Sequence, residues 1–306
     1  MQKWLKHITE IGWFTATILI VFALCLWIPD YIIHSSDFID ITICLVLTIL
    51  NAAIATFACF QTKITRNYSP MPIVCYLLLS GLAYQTHQSW QAQIAVLITQ
   101  IIVVLILNSW RKQNAVEESF LSSLLLITLV MIIPDAVVFF PLLWLSFVLQ
   151  RAFSLKVWLA SITAIVVVAI YAIALNYTGW FDDFYFASLS QIITRSWIKI
   201  DTNLITIGAS SIAGVLFLLY SFIDFQRDNT SVQSFIILYS CLYIISTILM
   251  FFPPAYFPSL IGISVFATSM LALSTFALKQ QSVVTGITFL LLLIVCGGSA
   301  VFRFLI

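Results

Sequence analysis

The densest group of side chains that could do chemistry follows the first apolar segment of the chain. Asp30, His34, Asp37 and Asp40 lie within eleven residues of one another. Carboxylates held beside an apolar segment can bind a divalent cation, which in turn can bind a phosphate or pyrophosphate. One of them could instead act as a general base, or Asp37 or Asp40 could simply cap the next helix. We expect Asp30 and Asp37 to be catalytic and His34 to contact substrate.

Asp135 is the third candidate catalytic residue. It follows Pro134 in a turn between two short apolar segments. A helix N-cap after a proline turn is the simpler explanation of this pattern. Carboxylates in partly dry pockets, however, often serve as acids or bases in enzymes, and we expect this role here.

Further polar residues fall on other turns of the same predicted side. Asp182 and Asp183 could engage a metal ion or a sugar, while Arg195 and Lys199 could hold a lipid phosphate. His87, in a polar turn, is a weaker candidate because a lone histidine there is usually just solvated. We expect all five to contact substrate, with interfacial anchoring as the alternative for the segment 178–202.

The elements that position these residues follow from composition. The chain has 306 residues, of which 62% are hydrophobic and 8% charged. Soluble domains carry roughly 25% charged residues. A protein surface with so few charges is stable in lipid rather than in water. The net charge of +1 says nothing about nucleic acid or acidic partners, and we expect no nucleic-acid partner. The composition therefore predicts an all-α, polytopic transmembrane helix bundle in one integral membrane domain, residues 1–306.

Apolar segments bounded by polar residues and prolines predict about eleven spans, within a range of nine to twelve. The predicted spans are 11–29, 39–61, 71–86, 91–109, 118–133, 136–150, 155–177, 203–224, 232–252, 257–278 and 284–304. Two of them, 118–133 and 136–150, are too short to cross a hydrocarbon core of about 30 Å comfortably. They predict a helical hairpin whose tip, Pro134-Asp135, sits below the outer surface.

The segment 178–202 has apolar and polar residues alternating at helical spacing. It predicts an amphipathic helix lying in the outer membrane interface. Its apolar residues are Phe181, Tyr185, Leu189, Ile192, Ile193 and Trp197.

Lysine and arginine positions predict the orientation. With a cytoplasmic N-terminus, ten of the thirteen fall inside and three, Arg195, Lys199 and Arg303, outside. The ten are Lys3, Lys6, Lys63, Arg66, Arg111, Lys112, Arg151, Lys156, Arg227 and Lys279. An odd number of spans places the C-terminus outside, and the location predicted is the cell inner (plasma) membrane.

Two runs of sequence resemble a known group of proteins. Phe139–Trp144 and Phe153–Ser161 resemble an uncharacterised family of bacterial multi-pass inner-membrane proteins, and the resemblance covers most of the chain. It implies a membrane location and no activity.

In architecture the chain is also loosely similar to membrane glycosyltransferases of the GT-C class. These take a sugar from a polyprenyl-phosphate donor at the outer face and keep a catalytic acidic residue in the first outer loop, where Asp30 or Asp37 lies here. The class also has juxtamembrane helices and an acidic pair in that loop, whereas this chain has a short first loop and adjacent aspartates at 182 and 183.

These signals favour an outer-face enzyme acting on polyprenyl-phosphate-linked sugars within the lipid membrane, with a divalent cation as a conceivable cofactor. A lipid or small-molecule transporter would need a polar path, for which Asn51, Gln100, Ser210 and Ser211 are the candidates. No charged residue lies near the centre of a predicted span, which counts against an ion-coupled transporter. A non-catalytic scaffold of an envelope complex is the third possibility.

The predicted orientation can be tested with reporter fusions. A reporter that is active only in the cytoplasm should be active when fused in the turns at Lys63 and Arg111. Fusions at His87 should give activity only with a reporter that folds outside. Export of the Lys63 and Arg111 turns would contradict the orientation.

Overall fold

The structure, a computed structural model, describes residues 13–33, 38–61, 71–83, 89–110, 112, 114–177, 203–222, 230–251, 257–273 and 289–298. Every regular element within these ranges is helical. The α-helices are α1 (Trp13–Cys25), α2 (Ile28–Ile33), α3 (Phe38–Gln61), α4 (Met71–Leu82), α5 (Trp90–Asn108), α6 (Val116–Ile132), α7 (Phe139–Leu149), α8 (Leu155–Tyr177), α9 (Asn203–Phe222), α10 (Thr230–Phe251), α11 (Phe257–Leu273) and α12 (Phe289–Gly298). A 3-10 helix, Pro134–Val138, joins α6 to α7. Each of the eleven predicted segments contains one of these helices, so the all-α prediction is confirmed.

Prolines explain where two helices depart from the predicted boundaries. The predicted segment 11–29 ends as a helix at Cys25, and the separate short helix α2 begins at Ile28. Pro29 has no backbone N–H to continue α1, but its fixed φ suits the first turn of a new helix. Asp30 therefore lies in a helix, whereas the sequence predicted a loop. In the same way, α7 begins only at Phe139, with Pro141 in its first turn.

The length and composition of the helices fit a membrane protein. Among the described residues, three helical segments are long and apolar enough to cross a membrane: Phe38–Cys59, Trp90–Asn108 and Val232–Met250. Their surfaces expose large apolar side chains, such as Val46 and Phe57 on α3 and Ile244 and Ile248 on α10. Soluble monomers rarely expose such extended apolar faces.

Hydroxyl groups within the helices find partners in their own helix. Thr48, Thr56 and Thr99 each donate to the carbonyl oxygen four residues earlier, at 2.8 Å. This arrangement satisfies a polar group without water, as an apolar surrounding requires.

The centre of the bundle is α11. All its residues from Ser259 to Leu273 are buried, and it packs against α4, α5, α9 and α10. A helix that is apolar on all sides is expected at such a position. Tyr76 of α4 and Tyr239 of α10 both meet the ring of Phe266 edge-on, with centroid distances of 6.4 and 5.6 Å.

Side-chain contacts fix the directions of the helices. Leu26 packs on Gly81, and the Cys296 Sγ lies 3.4 Å from the Leu78 carbonyl, so α1, α4 and α12 run in parallel. Ser221 donates to the Leu271 carbonyl at 3.3 Å, which joins the final turns of α9 and α11. Short connections make consecutive helices antiparallel within α3–α8 and within α9–α11.

Charged residues separate between the two ends of this bundle. At the end where α1 and α6 finish, the described residues carry Asp30, Asp40 and Asp135 and no lysine or arginine. We call this the acidic end. The described cations all lie at the opposite, basic end, together with two glutamates. These residues are Lys112, Glu117, Glu118, Arg151 and Lys156.

Gly214 permits the close approach of α9 and α10. A Cβ at this position would overlap the ring of Tyr243, whose hydroxyl is held by the Ser211 carbonyl at 2.7 Å. We expect Gly214→Ala to destabilise the protein by about 1–3 kcal/mol through overpacking. The effect is measured as a lower midpoint of thermal unfolding in detergent.

Gly298→Ala is the matched control, because nothing lies within 4 Å of a Cβ added there. Gly214 lies inside α9, where alanine gains roughly 0.5–1 kcal/mol of helix propensity, whereas Gly298 is the last residue of α12 and gains less. A lower midpoint for Gly214→Ala than for Gly298→Ala therefore reports the overlap. Equal unfolding midpoints for the two variants would show that α9 and α10 do not pack in this way.

Candidate functional site

Two hydroxyl contacts set the register between α6 and α8. The Ser119 hydroxyl donates to the Val157 carbonyl at 2.7 Å, and the hydroxyl oxygens of Ser123 and Ser161 are 2.7 Å apart. Both pairs are separated by 38 residues in sequence. The two helices are therefore parallel, and each residue of α6 lies at the same height as the α8 residue 38 positions later in the sequence.

This register leaves α6 shorter than α8 at the acidic end. Ile132, the last residue of α6, lies at the level of Ile170, whereas α8 continues for seven more residues to Tyr177. At 1.5 Å per residue, α6 stops about 10 Å below the end of α8. The Pro134–Val138 helix, with Asp135 as its second residue, follows at that lower level.

A second contact shows that α5 also begins lower than its neighbour α3. The Asn51 side-chain amide donates to the backbone and side-chain oxygens of Gln93, at 3.1 and 3.2 Å. Asn51 lies thirteen residues into α3, but Gln93 lies only three residues into α5. The start of α5 is thus about ten residues, or about 15 Å, below the start of α3.

Among the described residues, these offsets leave the start of α5 and the Pro134–Val138 helix lower than the start of α3 and the end of α8. We call this step the depression. Its floor is the first turn of α5 and the Pro134–Val138 helix, which adjoin because α5 packs on α6. Its walls are the first turns of α3 and the last turns of α8. Ser89 caps α5 at the floor by accepting from the Ala92 amide at 3.3 Å, and Trp90 beside it is half exposed.

The 3-10 helix packs against the rest of the bundle, because Ile133, Pro134 and Ala136 are buried. The helix that follows it, α7, is held to α8 by Trp144, which donates to the Ser161 hydroxyl at 3.0 Å. The N-caps of the 3-10 helix and α7 are Ile133 and Val138. The alternative explanation of Asp135 as an N-cap is therefore wrong for both helices.

An apolar cleft lies directly beneath the floor. It has a free volume of about 30 Å³, room for only one or two water molecules, and residues of α5, α6, α7 and α10 line it. Leu129 and Phe139 on its wall flank the 3-10 helix on either side. Its one polar lining residue is Thr99, whose hydroxyl is already bonded to the Ala95 carbonyl. The lining thus offers no hydrogen-bond partner to a polar group.

The structure describes only part of the predicted site. The backbones of Asp30 and Asp135 both lie at the acidic end, but α2 packs on α3 whereas the 3-10 helix packs on α6 and α7. The other predicted residues lie outside the described residues: His34, Asp37, His87, Asp182, Asp183, Arg195 and Lys199. Their roles stay predictions.

The metal prediction is also open. Within the described ranges, no group of three His, Cys, Asp or Glu residues could hold a metal ion. The divalent cation considered above would depend on carboxylates such as Asp37, Asp182 and Asp183 that the structure does not describe.

The polar residues proposed for a transport path are enclosed by helix contacts. Asn51 and Gln100 are each 1% exposed, and neither the nitrogen nor the oxygen of the Gln100 side-chain amide has a hydrogen-bond partner. The Ser211 carbonyl accepts from Tyr243, and the side chain of Ser210 lies outside the described part. In this conformation the described residues of the candidate path do not open to either end.

Sequence reasoning missed the residues that build the depression. Ser119 and Ser123 on α6, with Ser161 on α8, were not considered, although their spacing of four places the first two on one helix face. Which hydroxyl pairs with which group depends on helix rotation and could not be read from that spacing. Comparisons with protein-family models, curated proteins and solved structures find no match.

Cysteine labelling tests whether water reaches the floor of the depression. Val137 at the floor and Val148 on the outer surface of α7 are 49% and 50% exposed. In a Cys25→Ser background, we expect a charged maleimide to label Val137→Cys in nanodiscs much faster than Val148→Cys, because the reaction needs a hydrated thiol. Equal protection of both thiols would exclude a water-filled depression.

Proposed function

We propose that this chain is a multi-pass inner-membrane protein that transfers a sugar from a polyprenyl-phosphate donor at the outer face, in the manner of the GT-C class. One observation carries the proposal: a backbone turn bearing Asp135 lies about 10 Å below the end of α8, at the end of the bundle where the described residues have no cations. An aspartate within the membrane costs about 3 kcal/mol and is usually retained for function.

The charge distribution supports the orientation. Lys112, Arg151 and Lys156 lie at one end of the bundle. Cytoplasmic loops are enriched in lysine and arginine, so the basic end faces the cytoplasm and the depression opens outward. The N-terminus is then cytoplasmic and the C-terminus outside.

The chemistry assigned to the depression is acid–base catalysis. A carboxylate of Asp30, Asp37 or Asp135 accepts the proton of an acceptor hydroxyl. The hydroxyl oxygen bonds to the anomeric carbon, and the bond from that carbon to the phosphate oxygen breaks, releasing polyprenyl phosphate. Arg195 and Lys199 bind the phosphate, His34, His87, Asp182 and Asp183 contact the sugar, and a divalent cation would neutralise the departing phosphate.

Two other functions fit less well. A transporter would use Asn51 and Gln100, which are buried within helix contacts. A scaffold in an envelope complex would need neither a depression around Asp135 nor a cleft beneath it.

Conservative variants of the carboxylates test the proposal. With a radiolabelled polyprenyl-phosphate sugar in nanodiscs, we expect Asp135→Asn, and Asp30→Asn or Asp37→Asn, to lower the transfer rate by about 100-fold or more. Asp40→Asn is the control, because Asp40 lies at the same end in the first turn of α3 and is exposed. Full activity of the Asp30, Asp37 and Asp135 variants, at unchanged expression, would contradict the assignment.

A further inference from the structure

Gln100 of α5 carries a buried amide that no described residue satisfies. Its side chain is 1% exposed, and neither its nitrogen nor its oxygen has a hydrogen-bond partner among the described residues. Turning the amide over exchanges the two atoms and gives neither of them a partner. Because an amide buried without hydrogen bonds is strongly unfavourable, we expect its partner to come from outside the polypeptide.

The contact between Asn51 and Gln93 places this amide between α3 and α5. Asn51 of α3 donates to the backbone and side-chain oxygens of Gln93. Gln100 follows Gln93 by seven residues, almost two full turns, so both side chains lie on the same face of α5. Since α3 and α5 are parallel and pack on each other, Gln100 lies about 10 Å further toward the basic end, near the height of Ala58 on α3. We call the three residues Asn51, Gln93 and Gln100 the polar seam.

The part of α3 that faces Gln100 bears small apolar side chains. Ala55 and Ala58 are both buried and present only methyl groups. Higher in the polar seam, the side-chain oxygen of Asn51 is buried and also has no hydrogen-bond partner among the described residues. The atoms in need of a partner are therefore the Asn51 oxygen and both amide atoms of Gln100.

The chemistry of these atoms selects a small neutral ligand that both donates and accepts. The amide nitrogen needs an acceptor, and the two amide oxygens need donors. A cation would serve only the oxygens and an anion only the nitrogen, and no charged residue near the centre of a predicted span could offset either one. Water serves all three atoms, and a buried water typically makes about three hydrogen bonds to such groups.

We propose that the polar seam binds water inside the bundle, as one molecule or a short chain of molecules between the Gln100 amide and the Asn51 oxygen. The upper end of the seam is close to the depression, because the Gln93 amide donates to the carbonyl of Ser89 at the floor. Water enters from that end. The site stands apart from the proposed sugar transfer, in which no residue of the polar seam takes part.

Water-edited solid-state NMR tests the site directly. The full chain, labelled with ¹⁵N, is reconstituted in deuterated lipid bilayers, and magnetisation is transferred from water protons to nearby N–H groups. We expect the Gln100 side-chain signal to receive about fivefold more magnetisation than the indole N–H of Trp144, which donates to Ser161 within the protein. Equally weak transfer to both groups would overturn the proposal.

Two variants of α5 assign the signal and give a second readout. Gln100→Met removes the amide at similar volume, and its spectrum lacks the Gln100 signal. Ile101→Met is the control, because it makes a volume-conserving change at a partly exposed position of the same helix. If Gln100→Met does not fold, Gln100→Asn assigns the signal instead.

The thermal unfolding midpoint distinguishes a hydrated amide from an unsatisfied one. If water bonds to Gln100, Gln100→Met loses those hydrogen bonds, and we expect its midpoint to lie about 2–4 °C below that of Ile101→Met. If the amide had no partner, an apolar side chain would remove its desolvation cost and raise the midpoint. A midpoint equal to or above that of the control would therefore count against the water site.

Discussion

The register between α6 and α8 is the constraint on which the rest of the site depends. Ser119 and Ser123 bond to α8 at one common offset, and Trp144 adds a third link from α7. In an apolar surrounding, sliding α6 would leave the hydroxyls of Ser119 and Ser123 without these partners, at about 1–3 kcal/mol each. Since α6 has 17 residues and α8 has 23, the fixed register turns a difference in helix length into a depression.

The depression and the cleft divide the chemistry of the site by depth. One short 3-10 helix, which bears Asp135, lies above a small space lined almost entirely by apolar side chains. The side-chain amide of Asn51 donates to the side-chain oxygen of Gln93 at 3.2 Å, so these two buried amides contact each other.

The cleft lies at a joint between two parts of the bundle. On one side, α5 and α10 are held against the buried central helix α11. On the other side, α6 and α7 belong to the group that the serine contacts join to α8. Because α5 also packs on α6, the two groups form one connected bundle around the cleft.

The sequence by itself determined the helical segments, because apolar runs ended by prolines and polar turns are local features. It also determined that the charges separate, since helix direction alternates along the chain. Tertiary structure alone decided the level of Asp135, the offset between α3 and α5, and the cleft beneath the floor. These features depend on which faces of helices distant in sequence pack together. The Ser123 hydroxyl, for example, contacts Ser161 only when α6 and α8 have the right rotation and height relative to each other.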